Sequence, residues 1–213
     1  MQWVTVILYT FVGFLLIVQV ALRIARRWLK FPTPAFMTLI IDNPIRRRLI
    51  QNPEIIAERM RLEPGMTVVE VGPGKGSYTF AVAQRITPGT IYGCDIQPAV
   101  VDRLKARAAR MGVTNVDARV EDAYGFSFDN DSVDRVLMIA CLPEIPDPVR
   151  VLKECRRILQ PGGLVCLSEI LPDPDYPLRS TERRWAVEAG LELDSEYGNL
   201  FVYQLHFRKQ LQE

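Results

Sequence analysis

The stretch Val69-Glu70-Val71-Gly72-Pro73-Gly74-Lys75-Gly76 constrains this chain more than any other. An apolar, β-branched run over residues 66–71 stops there, and a helical period over 77–86 begins. Three glycines at a strand-to-helix junction permit a tight turn and a close approach of backbone to a ligand. The fold that uses such a turn is a layered α/β sheet, with its ligand at the carboxyl ends of the strands.

The rest of the chain keeps the same rhythm. Strands are expected at 90–94, 115–120, 132–140 and 163–170, and helices at 98–111, 147–159 and 180–189. Residues 191–196 and 201–207 read as two closing strands joined at Gly198-Asn199. Apolar strands alternating with amphipathic helices predict a mainly parallel sheet covered on both faces. The final hairpin adds an antiparallel strand. There are no internal repeats.

The loop spacing is G-x-G-x-G rather than the dinucleotide G-x-G-x-x-G, and no G-K-[ST] follows to make a phosphate-cradling loop. Glu70, two residues before the first glycine, would repel a pyrophosphate and suit an ammonium or sulfonium charge. Asp95 ends the second strand nineteen residues after Gly76, where a carboxylate accepts from both hydroxyls of a ribose. Asp122 follows the third strand, placed either to accept from an adenine amino group or to cap a loop.

Five segments in order carry a resemblance: 68–76, Gly93-Cys94-Asp95-Ile96, Val120-Glu121-Asp122-Ala123, Ser132-Val133-Asp134-Arg135-Val136 and Leu159-Gln160-Pro161-Gly162-Gly163. Together they resemble the class I S-adenosylmethionine-dependent methyltransferases, in the branch of the ubiquinone and menaquinone C-methyltransferases. The resemblance covers about 145 residues, through the final hairpin. It implies a Rossmann-like, seven-stranded sheet and S-adenosylmethionine as cofactor. It also implies that Glu70, Gly72, Gly74 and Gly76 hold the methionine end. Asp95, with Ile96 beside it, would bind the ribose. Asp122 and Ala123 would meet the adenine, and Ile139 and Ala140 would border the methyl donor. The quinone enzymes carry a longer insertion where this chain has only residues 171–179, which leaves 31–63 as the expected lid.

Residues 3–22 form a run of twenty without a charge, and Arg23, Arg26, Arg27 and Lys30 follow it. At ~1.5 Å per residue a helix of that length reaches ~30 Å, the thickness of a bilayer hydrocarbon core. The expectation is a transmembrane signal-anchor helix over 1–30, with the downstream domain on the cytoplasmic side. A cleaved signal peptide would need basic residues before the run, and none occurs. A buried core helix is the other alternative.

Thr33-Pro34, Asn43-Pro44 and Asn52-Pro53 each pair a capping side chain with a proline suited to the first helical position. They predict three short helices, at 34–41, 44–51 and 53–62. The first is apolar, with Phe36, Met37, Ile40 and Ile41; the second carries Arg46, Arg47 and Arg48. Residues 31–63 thus read as an interfacial lid with basic groups at lipid headgroups, or as ordinary docking helices with a solvated face. Residues 64–213 make the cofactor-binding domain.

The net charge of +1 argues against nucleic acid as a partner. Cys94, Cys141, Cys155 and Cys166 form no C-x-x-C pair and read as buried thiols, and a single histidine, His206, leaves no histidine cluster for a metal. Glu144 is the foremost candidate general base, with Glu169, Tyr176 and His206 weaker. The expected activity is methyl transfer to a lipophilic small molecule or a lipid at a membrane. A headgroup amine or alkyl-thiol methyltransferase and an inactive cofactor-binding adaptor are the other readings, with a dehydrogenase more distant.

Overall fold

The computed structural model describes residues Gln2–Trp28, Pro34 and 42–211. The expected helix over 34–41, with Phe36, Met37, Ile40 and Ile41, lies outside the described residues.

Seven strands form one sheet: β1 (Thr67–Val71), β2 (Thr90–Asp95), β3 (Val116–Val120), β4 (Val133–Ile139), β5 (Leu159–Ile170), β6 (Glu192–Gly198) and β7 (Val202–Arg208). Their spatial order is β3-β2-β1-β4-β5-β7-β6. Every pairing is parallel except those of β7, which runs antiparallel to both β5 and β6. The chain steps outward from β1 to β3, then returns to lay β4 on the other flank of β1. A crevice opens at the carboxyl ends of β1 and β4, where the winding reverses.

Around the sheet lie α1 (Gln2–Trp28), α2 (Pro53–Arg59), α3 (Ser77–Ile86), α4 (Pro98–Met111), α5 (Pro148–Ile158) and α6 (Arg179–Glu188). Local chemistry sets their ends. Asn52 accepts from the Glu54 amide at 2.9 Å with Pro53 at the first position, and Asp147 accepts from the Arg150 amide at 3.0 Å with Pro148 after it. Gly112 closes α4 at φ 66°.

Two cores flank the sheet. On one face Met138, Val165, Leu167 and Phe207 meet Val151, Leu152 and Ile158 of α5 and Ala186 of α6. On the other Val68, Leu137 and Cys166 meet Ile56 and Met60 beside Ala81, Val82 and Ile86 of α3. Each fully buried aliphatic side chain contributes roughly 1.5–3 kcal/mol, so α2 is held by burial rather than by its own seven residues of helix.

The transmembrane expectation is not carried by the structure. Among the described residues no helix is long and apolar enough to cross a membrane. Val4, Leu8, Val12, Leu15 and Leu16 of the apolar run lie outside the residues whose side chains are described. The described part of α1 exposes Trp3, Ile7, Tyr9, Phe11, Phe14 and Ile17. Its last turns are docked. Gln19 Nε2 donates to Pro172 O at 2.7 Å, Arg23 donates to the carbonyls of Leu171 and Asp173, and Arg26 Nε donates to Asp175 Oδ2 at 2.6 Å.

Candidate active site

The crevice between β1 and β4 deepens into a cavity of about 400 Å³. Its floor is the glycine turn. Gly72, Gly74 and Gly76 take φ 69°, 54° and 80°, conformations that favour glycine. A Cβ on Gly72 would lie 2.7 Å from Cys141 Sγ, so the space over the first turn exists only because the side chain is absent. The Gly72 amide donates to Cys94 O at 2.9 Å, which ties the turn to the neighbouring strand.

Of the residues singled out in the sequence, Gly72, Gly74, Asp95, Ile96, Asp122, Ala123, Ile139 and Ala140 all line this cavity. Asp95 stands at the end of β2; its Oδ1 accepts from the Gln97 amide at 2.9 Å. Burial raises its carboxyl above the usual range, opposed by that amide and by the charge of Arg103. Asp122 Oδ1 accepts from the Tyr124 amide at 2.9 Å, a tight turn that leaves its second oxygen uncommitted to that contact.

Glu70 and Gly76 do not line it, contrary to expectation. Strand alternation explains Glu70: its side chain shares a face with Val68 and points toward α3. There it is buried and accepts from the Thr79 hydroxyl, and burial pushes its carboxyl up to about 7. Gly76 caps α3, and a Cβ there would meet Leu104 at 2.5 Å and Phe80 at 2.9 Å. Its glycine serves packing.

Asp42, Tyr78 and Asp173, which the sequence did not mark, also meet here, together with Cys141 and with Arg46, expected instead at a headgroup surface. The segment before α2 folds over the glycine turn. Ser77 Oγ donates to Asp42 Oδ2 at 2.6 Å, Lys75 Nζ donates to Asp42 O at 3.0 Å, and Arg47 Nη1 donates to Ser77 Oγ at 2.9 Å. A π-helical turn, Arg46–Ile50, replaces most of the helix expected over 44–51. The wider turn splits the arginine triplet. Arg46 is buried in the cavity wall, Arg47 grips α3, and Arg48 is exposed. The three arginines therefore do not form one headgroup-facing set. The run of three after Asn43-Pro44 was the available signal, but only the turn type tells which one points inward.

The candidate bases separate in the same way. Glu144 lines the cavity from a short 3-10 turn, Leu142–Glu144, that follows β4. Glu169 is fully buried at the end of β5, and its carboxylate has no hydrogen-bond partner among the described residues. Glu182 of α6 is buried with it, and burial raises both carboxyls. Tyr176 donates to Leu200 O at 2.5 Å. His206 sits in the sheet on β7 with Nδ1 3.3 Å from Ser195 Oγ, and burial lowers it to about 4. Neither His206 nor Tyr176 reaches the cavity wall. Cys94, Cys155 and Cys166 are buried thiols, and Cys94 and Cys141 line the cavity.

Known proteins resemble this chain in sequence and fold. Residues 69–167 match the family described as a methyltransferase domain. The chain is 30% identical over 141 residues to the chloroplastic 2-methyl-6-phytyl-1,4-hydroquinone methyltransferase 2 of Oryza sativa subsp. japonica, covering 62% of this chain and 38% of that protein. It is 30% identical over 128 residues to demethylmenaquinone methyltransferase of Geobacillus stearothermophilus, covering 59% and 55%. The chain thus spans about half the length of these relatives, or less. The crystal structure of a SAM-dependent methyltransferase from Aquifex aeolicus superposes with a TM-score of 0.77 at 19% identity, over 83% of this chain and 99% of that one. Residues 69–167 are thus similar to a methyltransferase domain, and the chain shares its fold with the Aquifex aeolicus protein.

Proposed function

We propose that the protein transfers the methyl group of S-adenosylmethionine to a lipophilic small molecule or lipid, and that its N-terminal helix keeps the domain in contact with a membrane on the cytoplasmic side. One observation carries the transferase reading. A single cavity at the switch point joins a glycine-lined cradle at Gly72, two acids at strand ends, Asp95 and Asp122, and an apolar far wall of Ile139, Ala140 and Ile145. The cradle has room for a ligand backbone where any Cβ would close it, so the residues present fit the cofactor.

Each group has a part. Gly72 and Gly74 let the main chain approach the methionine end. Asp95 accepts from the ribose hydroxyls, and Asp122 with Ala123 holds the adenine. The cofactor supplies an activated methyl on a sulfonium. Ile139, Ala140 and Ile145 keep that end of the cavity dry, which favours a displacement in which charge is neutralised. Alignment of donor and acceptor at ~3–3.5 Å provides most of the acceleration. Glu144 stands in the same wall, placed to take a proton from an acceptor that must lose one.

The lipophilic acceptor and the membrane contact rest on other features. The exposed Ile7, Phe11, Phe14 and Ile17 of α1 offer apolar surface to lipid, and the basic residues that follow favour the cytoplasmic leaflet. Two of the matched relatives are named as methyltransferases of a hydroquinone and of demethylmenaquinone. The test is incubation of the full chain with methyl-labelled S-adenosylmethionine and a lipid extract, followed by chromatography. Label in the organic phase supports the proposal. Label only in water-soluble products removes the lipophilic acceptor. Flotation of the full chain with vesicles, lost on deleting residues 1–30, tests the membrane contact.

A further inference from the structure

Arg46 is the least expected group in the cavity. Its side chain is 8% exposed and lines the wall. Nε donates to Gln51 Oε1 at 2.8 Å, while the two terminal nitrogens make no hydrogen bond or ion pair with any described residue. Glu169, Asp173 and Tyr78 all feel its charge, yet no acid among the described residues is within ion-pair distance. A largely buried guanidinium whose terminal donors have no described partner is costly, unless a ligand completes it.

The π-helical turn directs the arginine inward, and Gln51 fixes its inner nitrogen. Gln51 is itself fixed: Nε2 donates to Ser168 Oγ at 2.9 Å, and its carbonyl accepts from Tyr78 OH at 3.3 Å. Ser168 Oγ donates on to Tyr203 O at 3.1 Å. This brace stands at the end of β5, on the far side of β4 from the glycine turn. A planar fork whose two terminal donors meet no described partner matches a carboxylate, enolate or phenolate oxygen.

Building on the methyltransferase reading, we propose that Arg46 receives an oxyanion of a bound ligand through its terminal nitrogens. Two sources share that chemistry: the ionised hydroxyl of a phenolic or enolic methyl acceptor, and the α-carboxylate of the cofactor. The position of the brace favours the acceptor. An ionised oxygen held there needs no strong protein base, since the guanidinium itself stabilises the anion once its proton has left to solvent.

Two arms of one experiment separate the sources, using Arg46→Gln and Arg46→Lys. The first measures binding of S-adenosylhomocysteine, which has the carboxylate, and 5′-methylthioadenosine, which lacks it. The second adds 4-nitrophenol to the protein saturated with S-adenosylhomocysteine and follows the phenolate absorbance. For the acceptor source, wild type binds the phenolate form, Arg46→Gln weakens it at least about tenfold, and S-adenosylhomocysteine affinity is unchanged. For the cofactor source, Arg46→Gln weakens S-adenosylhomocysteine about tenfold and leaves 5′-methylthioadenosine alone. Loss in neither arm overturns the oxyanion site. Failure of wild type to bind S-adenosylhomocysteine at all overturns the methyltransferase reading instead. Arg46→Lys keeps the charge without the fork; if Arg46→Gln fails to fold, a smaller drop of the same pattern in the lysine variant decides.

Discussion

Arg26 near the end of α1 donates from Nε to Asp175 Oδ2 at 2.6 Å, and its guanidinium lies 4.0 Å from Glu144 in the cavity wall. The N-terminal helix is therefore fastened to the rim of the candidate active site. Side-chain exposures of 12% and 7% make Arg26–Asp175 a largely shielded pair. Removing either partner of this pair costs roughly 1–3 kcal/mol. Arg26→Ala is expected to speed hydrogen exchange over residues 19–28 and 171–175 together. Asp175→Ala should do the same, and the double variant should add little. Exchange that rises only in α1 would mean that the helix does not order the rim.

Asp95→Ala should weaken S-adenosylhomocysteine binding by about 1.5–3 kcal/mol, roughly tenfold to a hundredfold, without unfolding the protein. Calorimetry beside a circular-dichroism melt checks both halves. Unchanged affinity in a folded variant would remove Asp95 from the ribose site.

Gly72→Ala should abolish most cofactor binding. The residue sits at φ 69°, which costs roughly 1–2 kcal/mol for a side chain, and the new methyl would meet Cys141 Sγ at 2.7 Å. Adding Cys141→Ala removes the sulfur but not the strain. The double variant should recover affinity in part, and full additivity of the two losses would show that the overlap does not matter.

Stability of the ligand-free protein should fall as pH rises. The Glu70 carboxyl ionises at about 7 in the fold against an ordinary 4.5, mainly because it is buried. Its contribution is fully present below about 4.5 and is lost as pH passes through 7; the raised carboxyl of Glu182, at about 8, acts in the same direction. Glu70→Gln keeps an acceptor for Thr79 and should flatten the profile by up to roughly 3 kcal/mol between about pH 5 and 8.5. Urea midpoints of the two proteins at both pH values measure it. Parallel profiles would mean that the Glu70 carboxyl is not withdrawn from water.

What could be read ahead of the structure was local. Strand and helix periods, the proline-marked starts and the glycine turn depend on neighbours in sequence. Hence all seven strands lie close to where the periodicity set them, and Gly72, Asp95 and Asp122 reach one cavity by sitting at strand ends. Glu70 went astray because alternation along β1, rather than nearness to the loop, decides where its carboxylate goes. Arg46 was illegible because its direction depends on a π-helical turn and on Gln51, whose partner Ser168 is 117 residues away. The docking of Arg23 and Arg26 was hidden for the same reason, with partners about 150 residues on.

The brace from Gln51 through Ser168 to Tyr203 also has a meaning in time. Gln51 leaves the ribosome long before Ser168, and Tyr203 comes later still, on the seventh strand of the sheet. During synthesis Arg46 has no fixed direction, however well β1 and the glycine turn have formed. A nascent chain released before β7 would carry the strand-end acids Asp95 and Asp122 but an incomplete brace behind Gln51. Contacts this distant in sequence form late. The Gln51 brace is thus completed by the last of the seven strands to be made, and a product truncated ahead of it would hold the strand-end acids without that brace beside them.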